Sequence, residues 1–452
     1  MESCLILPSP PTGKCRQIEL AGIDLWIIPR IDNVFVYPAD LNINRLKQAL
    51  GRTLSLWPLV AGRFLLLNDK QYVIEMSDNG IPFSLVENNE LVQWPINLNV
   101  LLDSAEGRLQ MFVDEASTNK LHCGSADEPL FRLKMTHLVQ SGEWIMGISW
   151  VHVLGDAYAC LTFLNTLSRL YQQLEPLEPL PIFERRLWNR ENADQSLLPF
   201  MRHLTNALSL EQSVERSVNE QITHDQINIH FSGEQLVRLH NIADNSMFTI
   251  QDVMTSYIIL TLNTHCFDKD DEQFIQHTNM IVNFRNVSDS IAPSNLIANC
   301  TLRMLSENFD DPYSLSSIAK SIRRSVIRSR DPSFLESILA TADGLMRDLA
   351  HDNREVNTDH FPHGIIINSN YRYDWADLVD FGYVNKCRFY TDGTAPLFLR
   401  VFHLNPIFDG NQWIERDRRG AEVTFRIEKT IKQKFIDAWQ RDINDNFAHV
   451  KQ

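Results

Sequence analysis

Apolar and polar residues alternate over Phe131-Arg132-Leu133-Lys134-Met135-Thr136-His137-Leu138, the period of a half-buried strand. Residues 144–151 form a second, more apolar run, and Ser141-Gly142 between the two supplies a hairpin turn. From residue 157 to 171 the period changes to that of an amphipathic helix. Nearer the start, residues 24–37 read as strands, 41–56 as a helix, and 71–76 and 83–86 as two further strands. Between residues 172 and 225 the pattern loosens into proline-containing, charged sequence such as Leu174-Glu175-Pro176-Leu177-Glu178-Pro179-Leu180-Pro181, which we read as an interdomain crossover. A strand over 226–231 opens the second half. Helices over 234–244 and 249–266 and a strand over 280–284 follow. Strand and helix signals mix without strict alternation, so the expected class is α/β with mixed sheets flanked by helices.

Length and charge narrow the picture. A chain of 452 residues with 44% apolar content is long for one core. The expected division is a domain over residues 1–175, a crossover over 176–225 and a second domain over 226–452. The seven cysteines are scattered and include no Cys-x-x-Cys pair, which argues against a disulfide framework or a structural zinc site and for a reducing compartment. The first residues lack a basic start and a long apolar run, and no segment approaches the roughly 20 apolar residues of a membrane span, so a soluble, cytoplasmic protein is expected. The net charge of −15 opposes general affinity for nucleic acid or an anionic membrane.

Candidate chemistry concentrates where the second strand meets the helix. Trp150-Val151-His152-Val153-Leu154-Gly155-Asp156 places one imidazole and one carboxylate at that junction, and a neutral histidine there can take a proton from a hydroxyl or amine. With 14 histidines in the chain, His-x-x-x-Asp spacing arises about once by chance, and a second copy, His240 to Asp244, lies in a helical pattern as a solvated face. No Gly-x-Gly-x-x-Gly, Walker-type loop or Gly-x-Ser-x-Gly elbow is present. No His, Cys or Asp spacing indicates a metal, and no cysteine has the basic neighbours of a nucleophile.

The strand pair, His152-Val153-Leu154-Gly155-Asp156 and the following helix resemble the core of the BAHD acyltransferase family. Asp380-Phe381-Gly382-Tyr383-Val384 is similar to that family's Asp-Phe-Gly-Trp-Gly motif in the expected C-terminal position, and two weak motifs in order are more specific than either alone. Pro58-Leu59-Val60-Ala61-Gly62-Arg63, Ile281-Val282-Asn283-Phe284-Arg285 and Ala298-Asn299-Cys300 extend the resemblance. The chain departs from the pattern at Ala157, where the family has glycine, and at Tyr383-Val384 in place of Trp-Gly, which marks a divergent member.

The resemblance implies two domains of similar topology, as in chloramphenicol acetyltransferase, with a channel between them. It implies transfer from an acyl-coenzyme A co-substrate to a hydroxyl or amine of a small, specialised-metabolite acceptor, by a monomer without metal or permanently bound cofactor. His152 would be the general base, with no acyl-enzyme. Asp156 would support the loop by pairing with Arg285 of the other domain, and Asp380, Phe381 and Gly382 would support the coenzyme channel. Family members often carry Thr-Ser-Trp before the second motif; the matching run here is Asn368-Ser369-Asn370, which makes Asn368 and Asn370 candidate oxyanion donors. Polyanionic coenzyme A needs local positive charge, for which Lys320, Arg323 and Arg324, with Arg328 and Arg330, form the best cluster; a solvated basic helix face is the plainer reading of that run. Two other readings share the motif: a condensation-type domain using a carrier-bound donor, which normally reads His-His-x-x-x-Asp-Gly, and a decayed relative that binds without transfer.

Overall fold

The computed structural model describes residues 2–12, 16–68, 71–94, 109–122, 127–243, 246–357, 362–391 and 395–450. Two six-stranded sheets form its frame. In chain order their strands are β1 (Glu2–Ile6), β2 (Arg30–Tyr37), β3 (Ile81–Asn88), β4 (Phe131–Leu138), β5 (Glu143–Val151), β6 (His224–Phe231), β7 (His277–Asn283), β8 (Thr301–Leu305), β9 (Gly364–Ser369), β10 (Arg388–Thr391), β11 (Phe398–His403) and β12 (Ala421–Glu428). The helices that flank them are α1 (Ile43–Leu56), α2 (Ala157–Tyr171), α3 (Leu210–Thr223), α4 (Gly233–Ala243), α5 (Ile250–His265), α6 (Leu315–Arg328), α7 (Pro332–His351) and α8 (Lys429–Asn444).

The first sheet runs in the order β1-β3-β4-β5-β2-β10 and the second β6-β12-β11-β9-β7-β8. Both are mixed: β3 pairs parallel with β4, and β9 pairs parallel with β7 and β11, among antiparallel neighbours. β5 lies inside the first sheet with every residue after Glu143 buried, which is why its sequence is a nearly continuous apolar run rather than an alternation. Each sheet has its own apolar core, one around Trp57, Trp150 and Phe163 and the other around Phe231, Tyr257 and Phe284. The sheets do not divide at one point along the chain, because β10 from the C-terminal half pairs antiparallel with β2, Arg388 opposite Val36 and Thr391 opposite Asn33.

Two expectations need correction. Residues 24–37 do not form strands throughout: Gly22–Asp24 is a single 3-10 turn and β2 begins only at Arg30. Pro29 lacks the N–H that a ladder position needs, and its carbonyl is instead taken by the amide of His152 at 3.1 Å. The crossover is more structured than its sequence suggested, since it contains α3. That helix buries none of its residues, so it carries no core-facing stripe; its sequence signal was the capping box, in which Ser209 and Gln212 satisfy each other's amides.

Candidate active site

β5 delivers the candidate base to the sheet edge. Val151 donates its amide to Leu130 O at 2.9 Å, and His152–Leu154 then turn through one 3-10 segment. Gly155 closes the turn at φ +145°, a conformation other residues avoid, and there a Cβ would lie 2.7 Å from the Ala159 Cβ and 3.1 Å from Ala298 O. Trp150 Nε1 donates to Gly155 O at 2.9 Å and locks the turn back onto the strand.

Asp156 is the N-cap of α2, with Oδ1 accepting from Ala159 N at 3.1 Å. Arg285, which follows β7 in the second half, grips the same carboxylate with two donors, at 2.7 Å to Oδ2 and 3.1 Å to Oδ1. Cys300 N completes the set at 2.9 Å to Oδ2. The remaining Arg285 donors reach Leu296 O and Ala298 O, and its guanidinium lies 4.6 Å from the ring centre of Tyr158. Burial, the largest single influence, works against the arginine's charge, and the charge and hydrogen bonds of Asp156 together with Cys300 and Tyr373 outweigh it, so the pKa of Arg285 is raised. With exposures of 3% and 5%, neither group of this pair faces solvent.

Sequence reading missed a second buried brace. Arg185, from the crossover, sits 3.5 Å from Asp24 Oδ2 and donates to Leu154 O at 3.3 Å. Asp24 Oδ1 accepts from Asn299 N at 2.8 Å, and Asn299 Nδ2 in turn donates to the carbonyl of His152 at 2.8 Å. Burial raises the pKa of Asp24 and lowers that of Arg185, with each opposing the shift of the other. The available signal was the lone carboxylate in the apolar run Ile23-Asp24-Leu25-Trp26, since a carboxylate is almost never buried without a partner. Asn299 is marked in the sequence only by the family resemblance of Ala298-Asn299-Cys300.

His152 itself lies against Trp26, ring centres 5.8 Å apart, with Nδ1 buried and without a hydrogen-bond partner. Burial lowers its pKa, and the Asp156 charge pulls the other way. The imidazole lines two cavities. The larger, about 910 Å³, is also lined by Asp32, Asn33, Gln226, Trp375 and Phe389. The smaller, about 440 Å³, is lined by Ile281, Leu302, Leu339, Met346 and Ile366 and also by His203, Arg216, Glu220 and Arg303. Asn368 and Phe398 line both.

The remaining expected site residues fall on both sides of this centre. Asn370 lines the larger cavity, whereas Ser369 points its hydroxyl to Gln251 Oε1 of α5 at 2.7 Å. Asp380 accepts from Gly382 N at 2.9 Å and Gln172 Nε2 at 3.1 Å; burial raises its pKa. Phe381, at φ +49°, packs edge-on against Tyr37 and Tyr171, and Gly382 has φ +94°. These three residues line neither cavity. Lys320, Arg323 and Arg324 lie on α6 and also line neither cavity; Lys320 and Arg324 face solvent, and Arg323 is engaged by Asp252 and by Thr249, the N-cap of α5. His240 of the second motif copy bonds Phe248 O at 2.9 Å, and Asp244 lies outside the described residues.

Residues 1–355 match the Transferase family. The chain belongs to the BAHD acyltransferases. Among curated BAHD relatives, an acetyl-CoA-benzylalcohol acetyltransferase of Clarkia breweri is 27% identical over 36% of this chain and 37% of its own length. A hydroxycinnamoyltransferase of Narcissus pseudonarcissus is 24% identical over 45% of each. The chain thus spans less than half the length of the curated relatives it matches. Fold likeness is broader: vinorine synthase superposes with a TM-score of 0.64 at 15% identity, covering 96% of this chain and 95% of that one. F. sporotrichioides TRI101, complexed with coenzyme A and T-2, gives 0.61 at 14% identity over 94% and 98%. The BAHD fold in this chain has, among the described residues, no helix long and apolar enough to cross a membrane.

Proposed function

We propose that the protein transfers an acyl group from an acyl-coenzyme A thioester to a hydroxyl, or an amine, of a small-molecule acceptor. One observation carries this reading: a single imidazole, lowered in pKa by burial, lines two adjoining cavities that also share Ser217, Glu220, Asn368 and Phe398, so it stands where two reactants can meet. Neutral His152 takes the acceptor's proton as its oxygen attacks the thioester carbonyl. The tetrahedral intermediate collapses, the carbon–sulfur bond breaks, and the protonated His152 returns the proton to the departing coenzyme A thiolate. No acyl-enzyme is formed. The buried cysteines fit this, because burial holds the thiols of Cys160, Cys300 and Cys387 above their ordinary pKa and keeps them protonated.

Asn368 and Asn370 are the side-chain amides nearest in kind to what a developing oxyanion needs, and both line the cavity with His152. Asp156 acts as structural support: its oxygens are already taken by Arg285, Cys300 and Ala159. We further propose that the protein works as a soluble, cytoplasmic monomer in specialised metabolism and that its halves divide near the crossover at residues 176–225.

The test is acceptor-dependent release of free thiol from a panel of acyl-coenzyme A donors, comparing the protein with His152→Ala. A loss of about 10²–10⁴-fold in the variant, with its fold intact, is expected for removal of a general base. Equal turnover in both removes His152 from that role.

A further inference from the structure

A third cavity lies apart from the two that adjoin at His152. It encloses about 300 Å³ where β7 begins and β8 ends, and it shares no lining residue with either of the others. Asn279 pairs with Leu305 and Ile281 with Arg303, so this cavity and the smaller one follow each other along one face of the sheet, since residues two apart share a face. Buried His203 and Arg303 line the smaller cavity and are tied together through Asn357, whose amide donates to His203 O at 2.9 Å and whose carbonyl accepts from Arg303 Nη1 at 3.3 Å. The seven residues of β7 put its first residue roughly 20 Å from the end that leads to Arg285.

The chemistry of this cavity runs against the charge of the chain. Arg202, His277 and His363 line it, and among the described residues no carboxylate does, in a chain of net charge −15. Arg202 is exposed in the short helix Arg202–Thr205 and makes no ion pair among the described residues. His363 Nδ1 bonds Phe274 O at 3.0 Å, which leaves Nε2 as the ring nitrogen open to a ligand. Burial first, then Arg202 and His363, with Arg303 adding least, hold the pKa of His277 down to about 4, against a hydrogen bond with Asn308. Among the described residues, every ionisable group acting on His277 is therefore an arginine or a second imidazole. Positive potential is focused in a cleft whose own lining supplies no anion to answer it.

We infer that this third cavity binds a small organic anion of the phosphate monoester class, at a site separate from the one where acyl transfer takes place. The inference goes beyond the acyl-transfer reading and does not depend on it. Arg202 offers a planar fork of donors that matches phosphate oxygens, and Asn308 adds a neutral amide. Phe200 and Leu305 give the ligand's organic part an apolar surface. The volume sits at the lower end of ordinary ligand sites, roughly 300–1,000 Å³, which sets the ligand's size. An anion at the centre offsets the cations that keep His277 neutral, so a proton enters with the ligand. A dianion offsets them more fully than a monoanion, which favours phosphate over carboxylate. Coenzyme A carries phosphates as well, and the experiment separates that source from a free phosphate ester.

Phenyl phosphate is titrated into the whole protein by calorimetry, with sulfate, which stays a dianion at neutral pH, as a second probe. The expected result is one saturable site for phenyl phosphate, weakened at least about tenfold in Arg202→Gln and in His277→Gln, each melting as the parent does. Sulfate should bind about fivefold tighter at about pH 6 than at about pH 8, the sign required when a proton is taken up with the ligand, and His277→Gln should lose most of that dependence. Absence of saturable binding, or equal binding by parent and variants, overturns the inference. Competition by coenzyme A together with a raised KM for acyl-coenzyme A in the variants also overturns it, because the cavity then belongs to the co-substrate. These are binding measurements, so their failure leaves the transfer assay with His152→Ala to stand or fall by itself.

Discussion

His152 is held through the backbone of its turn. Asn299 holds its carbonyl, Arg185 holds the carbonyl of Leu154, and Pro29 takes its amide, while the ring is left to the cavities. Asn299→Ala removes the first of these without touching the Asn299 amide that reaches Asp24. We expect kcat to fall about 10²-fold with acceptor and donor KM little changed, the signature of a base displaced by a fraction of its working distance. An unaltered kcat removes Asn299 from that role. Because burial lowers the pKa of His152, the neutral base persists to lower pH than a free imidazole would, and the acid limb of kcat/KM should have its midpoint below the ordinary 6.5. A midpoint above 6.5 contradicts the burial. Asp156→Ala strips Arg285 of its partner inside the protein, for which about 3–5 kcal/mol of lost stability is expected in urea unfolding. Replacing both, Asp156→Leu with Arg285→Met, should recover part of that loss. His152 and Asp156 were legible because their spacing and setting are local. Asp24 and Arg185 were not, because their meeting depends on a crossover that brings distant segments together, and no periodicity records such a meeting.

At the level of elements, the turn between β5 and α2 depends on one glycine. Gly155→Ala forces a side chain into φ +145° and against Ala159 and Ala298 O, so stability should fall by about 1–3 kcal/mol, with a larger loss in turnover because the same turn carries His152. A variant as stable and active as the parent contradicts this. Strands β4 and β5 and helices α1, α2 and α5 were legible to within a few residues: β4, α1 and α2 repeat at the period of a buried face, β5 is a continuous apolar run after a turn, and α5 is a longer apolar run opened by the Thr249 cap. α3 was not, because a helix with no buried face leaves only its cap as a signal. Residues 24–29 misled for the opposite reason: Leu25 and Ile27 are apolar and buried without being part of a strand, and Pro29 lacks the N–H that a ladder position needs.

At the scale of the whole molecule, acid should weaken the fold through histidines buried in neutral form. His203, in the short helix Arg202–Thr205, has its pKa lowered well below 6.5 by burial and then by Arg303. The unfolded chain therefore binds a proton that the folded one refuses. This contribution is fully present above the unfolded value of 6.5 and is lost as pH falls from there toward the folded value. His203→Phe should flatten the decline of melting temperature on that side; an unchanged decline assigns the acid loss elsewhere. Sheet composition was legible in sequence as a mixture of strands and helices, but the joining of β10 to β2 was not, since nothing in Arg388–Thr391 names its partner.

That pairing also sets the order in which the protein can be completed. The first sheet lacks its last strand until roughly 350 further residues have been made, which at 5–20 residues per second leaves the edge of β2 open for on the order of 20–70 s during synthesis. An open strand edge is a template for another chain. Any nascent or truncated chain ending before Arg388 therefore presents that edge to its neighbours, and the cell must keep such chains apart until the C-terminal strand arrives to close it.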